Sequence, residues 1–312
     1  MEIRWNEEHE MGIEEFDHDH KQLFVIAGRL VDKVRDPKSI ADVRVRLFIL
    51  REGVQYLRGY FDEHAIREEA YMRRMGYADY ALHKQLHDEF MANTLQGYEK
   101  MVERGTCSRE EVLDFVGRGI GWLVEHISTA DLAIVGRGTL GKPRLTKINA
   151  QVVEREFNTI FASTLNMDVQ TRLIDPNYAG APFGPAICQE LTYRRGDRKV
   201  TVLAGLENSF LTAAAEAVYG SQLQGMEALI MSTMEIFSAN FWRTVGSRFV
   251  EGDAEMVFVE NHFLTQAQLQ ERYNRHIPKL SLLFDSSKGK FFVATETDIT
   301  AQAESFDLSV GA

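Results

Sequence analysis

Residues 13–35 place Ile13, Phe16, His20, Leu23, Phe24, Ala27, Leu30 and Val31 at three- and four-residue spacing, one apolar stripe with a histidine inside it. The same period runs through Val45, Phe48, Leu57, Tyr60, Phe61, His64, Glu68 and Met72 in 41–74. It returns through Leu82, His83, Leu86, Phe90 and Leu95 in 79–104, and through Val112, Phe115, Val116, Ile120, Trp122, Leu123, His126 and Ile127 in 109–135. The breaks between these stretches are short: RDPKS, MGYAD and RGTCSRE. The last holds Ser108 and, three residues on, Glu111, the spacing of a capping box. Four amphipathic helices joined by short loops predict an all-α antiparallel four-helix bundle.

The stretch GRGTLGKPRLTK, residues 136–147, is glycine-rich and basic and reads as a linker. Beyond it the texture changes. Residues 149–165, 209–220 and 225–246 read as helices, the last of them mostly apolar. Residues 198–206, 254–260, 278–285 and 289–296 read as strands, with Lys288 and Gly289 in the turn joining the last two. The expectation is a multidomain chain: a bundle over 1–135, a linker over 136–147, and a mixed α/β (α+β) domain over 148–312.

Composition narrows the chemistry. The formal net charge of −11, with no basic cluster, argues against a phosphate-driven nucleic-acid binder. No apolar run is long enough for a bilayer, and the acidic N-terminus MEIRWNEEHE does not resemble a secretory signal, so a cytoplasmic location is expected. The two cysteines, Cys107 and Cys188, are too few for a thiolate cluster and read as buried or half-buried thiols. A metal in this chain must be held by imidazole and carboxylate.

Seven of the nine histidines lie in the first 131 residues. His20 is on an apolar stripe, and His18, two residues before it, points about 200° away. His64 and Glu68 share a helix face, as do His83 and His87. His126 lies on the inner face of the fourth helix, but Asp131 is five residues on and about 140° around a regular α-helix. If both serve one site, a π-type distortion near 127–130 or a side chain that reaches around is required. Burying five imidazoles and two carboxylates without a metal costs far more than an apolar core. Seven ligands exceed one tetrahedral zinc, and nitrogen-rich ligation disfavours calcium and magnesium, which leaves a histidine-rich dinuclear centre.

Residues 1–135 resemble a bacterial hemerythrin domain. The resemblance rests on Trp5, the opening MGIEEFDHDHKQL, HAIRE at 64–68, HKQLH at 83–87 and HISTAD at 126–131. It implies two non-haem irons joined by an oxo or hydroxo bridge. His83, His87 and His126 would bind one iron and His20 and His64 the other, with Glu68 and Asp131 bridging them. Five nitrogens, four carboxylate oxygens and two bonds from the bridge leave one of the twelve octahedral positions open, where the family binds dioxygen. Leu123 and Trp122 fit the apolar wall of that oxygen pocket.

The C-terminal half resembles the CheX-like chemotaxis phosphatase family in its order of elements and in KVTVLAGLENSFLTAAAEAVYG, EALIMSTMEIFSANFWRTVG and IPKLSLLFDSSKGKFFVATE. That family dephosphorylates CheY-type response regulators with a Glu and, three residues on, an Asn. Here Glu235, the candidate catalytic residue, is followed by Ser238, and Asn240 lies about 200° around the helix from it. The motif therefore departs from the pattern at the residue that orients water.

The reading favoured by these residues is an oxygen or redox sensor whose di-iron bundle signals through a CheX-like interaction domain, with a homodimer through that domain as one arrangement. The alternatives are an oxygen-gated phosphatase of a CheY-type regulator and an oxygen storage or delivery protein.

Overall fold

A computed structural model describes residues 3, 5, 7–141, 147–221, 223–249, 256–276, 278–295 and 305–308. Residues 142–146 of the expected linker, and residues 254, 255 and 296 at the ends of two expected strands, lie outside them.

Residues 14–134 are mainly helical, as the apolar period requires. Helix α1 spans Glu14–Arg35. No side chain of its N-cap residue serves it. Instead Asp17 reaches back to accept from the backbone of Met11 at 2.7 Å and Gly12 at 2.9 Å. A short helix α2, Pro37–Ala41, is capped by Asp36 and lies in a stretch the periodicity treats as a break. The second long segment runs through α3, Val43–Gly59, a π turn at Tyr60–Ala65, and α4, Ile66–Met75. The third runs through α5, Tyr80–Phe90, a π turn at Met91–Leu95, and α6, Gln96–Arg104. It ends on Gly105, whose φ of +72° is the left-handed stop that an L side chain resists. The fourth is α7, Arg109–His126, a π turn at Ile127–Asp131, and the short α8, Leu132–Ile134. The expected capping box is formed: Ser108 accepts from the Glu111 backbone and Glu111 from that of Ser108.

The remainder is an α+β arrangement. Strand β1, Lys147–Asn149, is followed by α9, Ala150–Leu165. Then come β2, Thr171–Asp175, β3, Ala186–Arg195, and β4, Arg198–Glu207. Helices α10, Asn208–Tyr219, and α11, Glu227–Phe249, precede β5, Val257–Leu264. Helix α12, Gln266–Arg275, leads to β6, Leu280–Ser286, β7, Phe291–Thr295, and β8, Ser305–Asp307. Six strands form one antiparallel sheet in the order β2-β6-β7-β4-β3-β5. Strands β1 and β8 pair in parallel apart from it. One face of the large sheet packs on aromatic rings from α9 and α11: Phe157 lies 4.9 Å from Phe284, and Phe161 stacks 5.3 Å from Phe241. The other face meets Leu269 and Tyr273 of α12 through Phe292 and Tyr178.

By compactness the chain divides into two units that do not follow chain order. One comprises Met1–Gly141 with Val218–Phe237, the other Lys142–Ala217 with Ser238–Ala312. Helix α11 thus contributes its first half to the bundle's unit. Tyr219, Met226, Leu229 and Ile236 are members of the bundle's apolar core. Each such side chain, fully buried, is worth about 1.5–3 kcal/mol in transfer free energy. No helix among the described residues is long and apolar enough to cross a membrane.

Candidate metal centre

Each long segment of the bundle delivers ligand-type side chains to one interior point. Helix α1 brings His20, the π turn at Tyr60–Ala65 brings His64, and α4 brings Glu68. Helix α5 brings both His83 and His87, one turn apart on its buried face. The end of α7 brings His126, and the π turn after it brings Asp131. That turn answers the geometric difficulty posed by the sequence. Its wider winding takes up one extra residue, so five positions here achieve what four achieve in an α-helix. His18 is exposed and takes no part.

The seven side chains are all 2% exposed or less. His126 Nε2 lies 3.0 Å and His83 Nε2 3.4 Å from Asp131 Oδ1, while His20 Nε2 lies 3.2 Å from Asp131 Oδ2. Glu68 Oε2 lies 3.2 Å from His83 Nε2 and 3.6 Å from His87 Nε2. Two overlapping ligand sets result: Glu68, His83, His87, His126 and Asp131, and His20, His64 and Glu68. Within each, one donor atom per residue lies within 4.8 Å of the others. Asp131 approaches His126 and His83 with one oxygen and His20 with the other, and Glu68 is common to both sets, so these two carboxylates are the side chains that could serve both.

The arrangement makes poor sense as a hydrogen-bonded core. Both oxygens of Glu68 and of Asp131, both ring nitrogens of His20 and of His83, His64 Nε2 and His126 Nδ1 are buried without a hydrogen-bond partner. Native interiors pair nearly all such atoms, and each orphan costs about 1–3 kcal/mol. Nε2 of His87 and Nε2 of His126 face one another at 3.0 Å, a contact natural for two nitrogens that share a cation. The donor set therefore fits a pair of metal ions bound by nitrogen and carboxylate oxygen.

Electrostatics point the same way. Burial works to raise the Asp131 carboxyl, but His126 and His20 overcome it and hold the group well below the usual range. Burial and Asp131 work to raise Glu68, and His83 with His64 turns the balance downward. For His126 burial wins, reinforced by His87 and His83, and its pKa falls to about 4. The carboxylates in turn outweigh burial and raise His20 and His83, so protons and metal ions compete for the same anionic cage.

Beyond the cage stand residues that sequence reasoning missed. Asp19 Oδ2 lies 2.8 Å from Nδ1 of His64 and also accepts from Arg67. Glu69 Oε1 lies 3.3 Å from Nδ1 of His87. Each carboxylate neighbours a ligand in sequence, Asp19 beside His20 and Glu69 beside Glu68, which was the available signal. The rule that ligand imidazoles donate their second N–H to a carboxylate makes such neighbours worth testing. Tyr60 stacks on His64 with centroids 4.4 Å apart.

Trp122 stacks on His126 at 4.4 Å and on Phe90 at 4.4 Å, with Phe61 at 5.3 Å, and so forms an aromatic wall beside the three-histidine set. Leu123 is buried, and it lines a cavity of about 40 Å³ with Leu23, Ile26 and Ile120; of the residues lining that cavity none is one of the seven. Glu235 is not among the clustered residues. Its carboxylate pairs with Arg118 at 2.6 Å. Ser238 is 2% exposed, and Asn240 Oδ1 accepts from Arg243 at 2.8 Å.

Residues 11–136 match the Hemerythrin HHE cation binding domain. All seven of the clustered residues fall within the matched segment. A Bacteriohemerythrin of Clostridium acetobutylicum is similar over 128 residues at 29% identity, covering 41% of this chain and 94% of that protein. Several solved structures are similar over the C-terminal half. One is the CheX–CheY complex of Borrelia burgdorferi, at 9% identity and a TM-score of 0.31, covering 48% of this chain and 97% of that one. Another is CheX of Desulfovibrio desulfuricans, at 12% identity and a TM-score of 0.27, covering 48% and 98%.

Proposed function

We propose that the bundle is a dioxygen-binding di-iron centre and that the chain is an oxygen or redox sensor, with its C-terminal half as the output. One observation carries the metal reading: Nε2 of His20, His64 and His83 and both carboxylate oxygens of Glu68 and of Asp131 are sealed in the bundle with no well-directed hydrogen bond. His83, His87 and His126 would hold one iron, His20 and His64 the other, and Glu68 and Asp131 both. Bound iron would supply a redox couple and a coordination position for dioxygen.

The chain's own residues do the rest. Asp19 and Glu69 fix the ring orientation of His64 and His87 by accepting from Nδ1–H, which leaves Nε2 of each as the ligand atom. Trp122, Phe61 and Phe90 exclude water from the three-histidine side. The output reading rests on the resemblance of the long helix and late hairpin to CheX-like domains, with a CheY-type regulator as the expected partner and a cytoplasmic setting.

The deciding experiment is iron analysis followed by the absorption spectrum of anaerobically reduced protein as oxygen is admitted. A persistent ligand-to-iron charge-transfer band is the expected sign of direct oxygen sensing. A fleeting band that gives way to the oxidised spectrum indicates a redox sensor. Bound metal without any iron-dependent band overturns the di-iron reading.

A further inference from the structure

Residues 218–237 share a compact unit with the bundle, and three sets of contacts tie them to it. The first is a close approach of backbones. A Cβ at Gly117 would stand 2.7 Å from the carbonyl oxygen of Leu229, and one at Gly121 would stand 2.6 Å from that of Thr233. No side chain larger than hydrogen fits at either position, so α7 presents two glycines one turn apart as a flat seat for α11. The second set is hydrogen bonds. Thr233 Oγ1 lies 3.0 Å from the carbonyl oxygen of Gly117, and Arg35 Nη2 donates to that of Tyr219 at 2.8 Å. The third is charge. Arg118, between the two glycines, pairs with Glu235 at 2.6 Å and is steadied by Asp114, which in turn accepts from Tyr98.

These contacts differ in weight. The Arg118–Glu235 pair is about one quarter exposed on each side, and ion pairs that wet contribute little. The apposition of the Leu229 and Thr233 backbone against the two glycines, with the Leu229 side chain fully buried in the bundle's apolar core, carries the docking. The ion pair decides what becomes of Glu235, which in this state faces the bundle.

The helix that offers this seat also carries part of the metal cage. Trp122 follows Gly121 directly and stacks on His126, one turn further on. A shift of α7 at His126 therefore moves the seat as well. We propose that the Gly117–Arg118–Gly121 face of α7 is a latch that captures the first half of α11 and ties up Glu235, and that occupancy of the metal centre sets how tightly it is closed. The latch rests on the metal reading above only for its control, not for the docking itself. It makes Glu235 a latch residue and reserves its carboxylate from any other protein until α7 releases it.

Hydrogen–deuterium exchange of the full chain tests this, read at backbone amides 227–237 in metal-free and iron-loaded samples. In Gly121→Leu and in Leu229→Asp, which disrupts the docking from the α11 side and leaves α7 intact, those amides exchange at least about tenfold faster than in the native chain. Arg118→Ala gives a smaller acceleration. Iron loading changes the rate in the native chain and not in Leu229→Asp. Peptides covering 83–87 report that the bundle remains folded. Equal exchange at 227–237 in the native chain and both docking variants overturns the latch. A rate unmoved by verified iron loading overturns its control by the metal. Samples that take up no iron overturn the metal reading and the control together, and the contrast between native and docking variants then still decides the docking.

Discussion

Asp131 Oδ1 lies 3.0 Å from Nε2 of His126 although five positions of one continuous helical segment separate the two residues. Only the π turn at Ile127–Asp131 brings them together, and it places the second oxygen of Asp131 3.2 Å from His20 on α1. A carboxylate so placed would serve both ions of the proposed pair. In Asp131→Asn the shape is kept and one anionic oxygen is lost. Iron per chain, measured on purified protein, falls from a pair to a single ion or none, while far-ultraviolet circular dichroism is unchanged. Retention of the full pair would show that Asp131 is not a bridge.

This turn shows how far the sequence can be read. Helical periodicity placed His20, His64, Glu68, His83, His87 and His126 on inner faces, because four buried stripes leave ligands one place to converge. The five-residue step to Asp131 could be read as a required irregularity, and the structure supplies it. The π turns at Tyr60–Ala65 and Met91–Leu95 left no such mark, since no pair of residues around them demanded one. Strand β3 was illegible because it is flanked by strands on both sides and its burial does not alternate. Helix α12, QAQLQERYNR, is polar enough to pass for loop, although its capping box of Thr265 and Gln268 was there to be read. The grouping of 218–237 with the bundle depends on contacts across more than 100 residues, such as Thr233 with Gly117, which no local pattern encodes.

Removing the metal should weaken the bundle. Its cage gathers two carboxylates and five imidazoles whose inward-facing atoms a cation would satisfy. A ligand held at a hundred times its Kd adds about 2.7 kcal/mol to the stability of the state that binds it. Thermal unfolding followed at the bundle's tryptophans is therefore expected to drop by roughly 5–10 °C after chelation under reducing conditions. An unchanged midpoint would mean that the cage is stable without metal, against the cost of its orphaned atoms.

The outer carboxylates give a sharper test because they touch no ion. Asp19→Asn and Glu69→Gln keep size and shape while weakening the acceptor opposite Nδ1 of His64 and of His87. Each variant should lose about 10–100-fold in metal affinity, read by competition with a chromophoric chelator. The two losses should be separable, since each acts on a different ligand set. Native affinity in both would remove their orienting role.

The thiols behave as core atoms. Cys107 and Cys188 are both buried, and burial pushes the Cys188 thiol up to about 11. Burial disfavours the thiolate, so the reactive form is scarce at neutral pH and grows only as pH approaches that value. Alkylation of the native chain at pH 7.5 should leave Cys188 unmodified over hours, with rapid reaction once denaturant is added. Fast modification in the native state would place that thiol at an opening in the sheet's core.

The C-terminal half invites one last test, because its resemblance and its structure pull apart at one helix. The phosphatase pattern wants a carboxylate and, three residues on, a carboxamide exposed together. Here Glu235 is held by Arg118, Ser238 stands at the second position only 2% exposed, and the carboxamide of Asn240 is engaged by Arg243. A side chain that water cannot reach cannot orient an attacking water, so restoring the residue type does not restore the chemistry. The decay of a phosphorylated CheY-type receiver should therefore proceed at its own rate in the presence of the native chain, of Glu235→Ala and of Ser238→Asn alike. An acceleration by the native chain that disappears in Glu235→Ala would establish a phosphatase. It would also require that helix to leave its present seat before it acts.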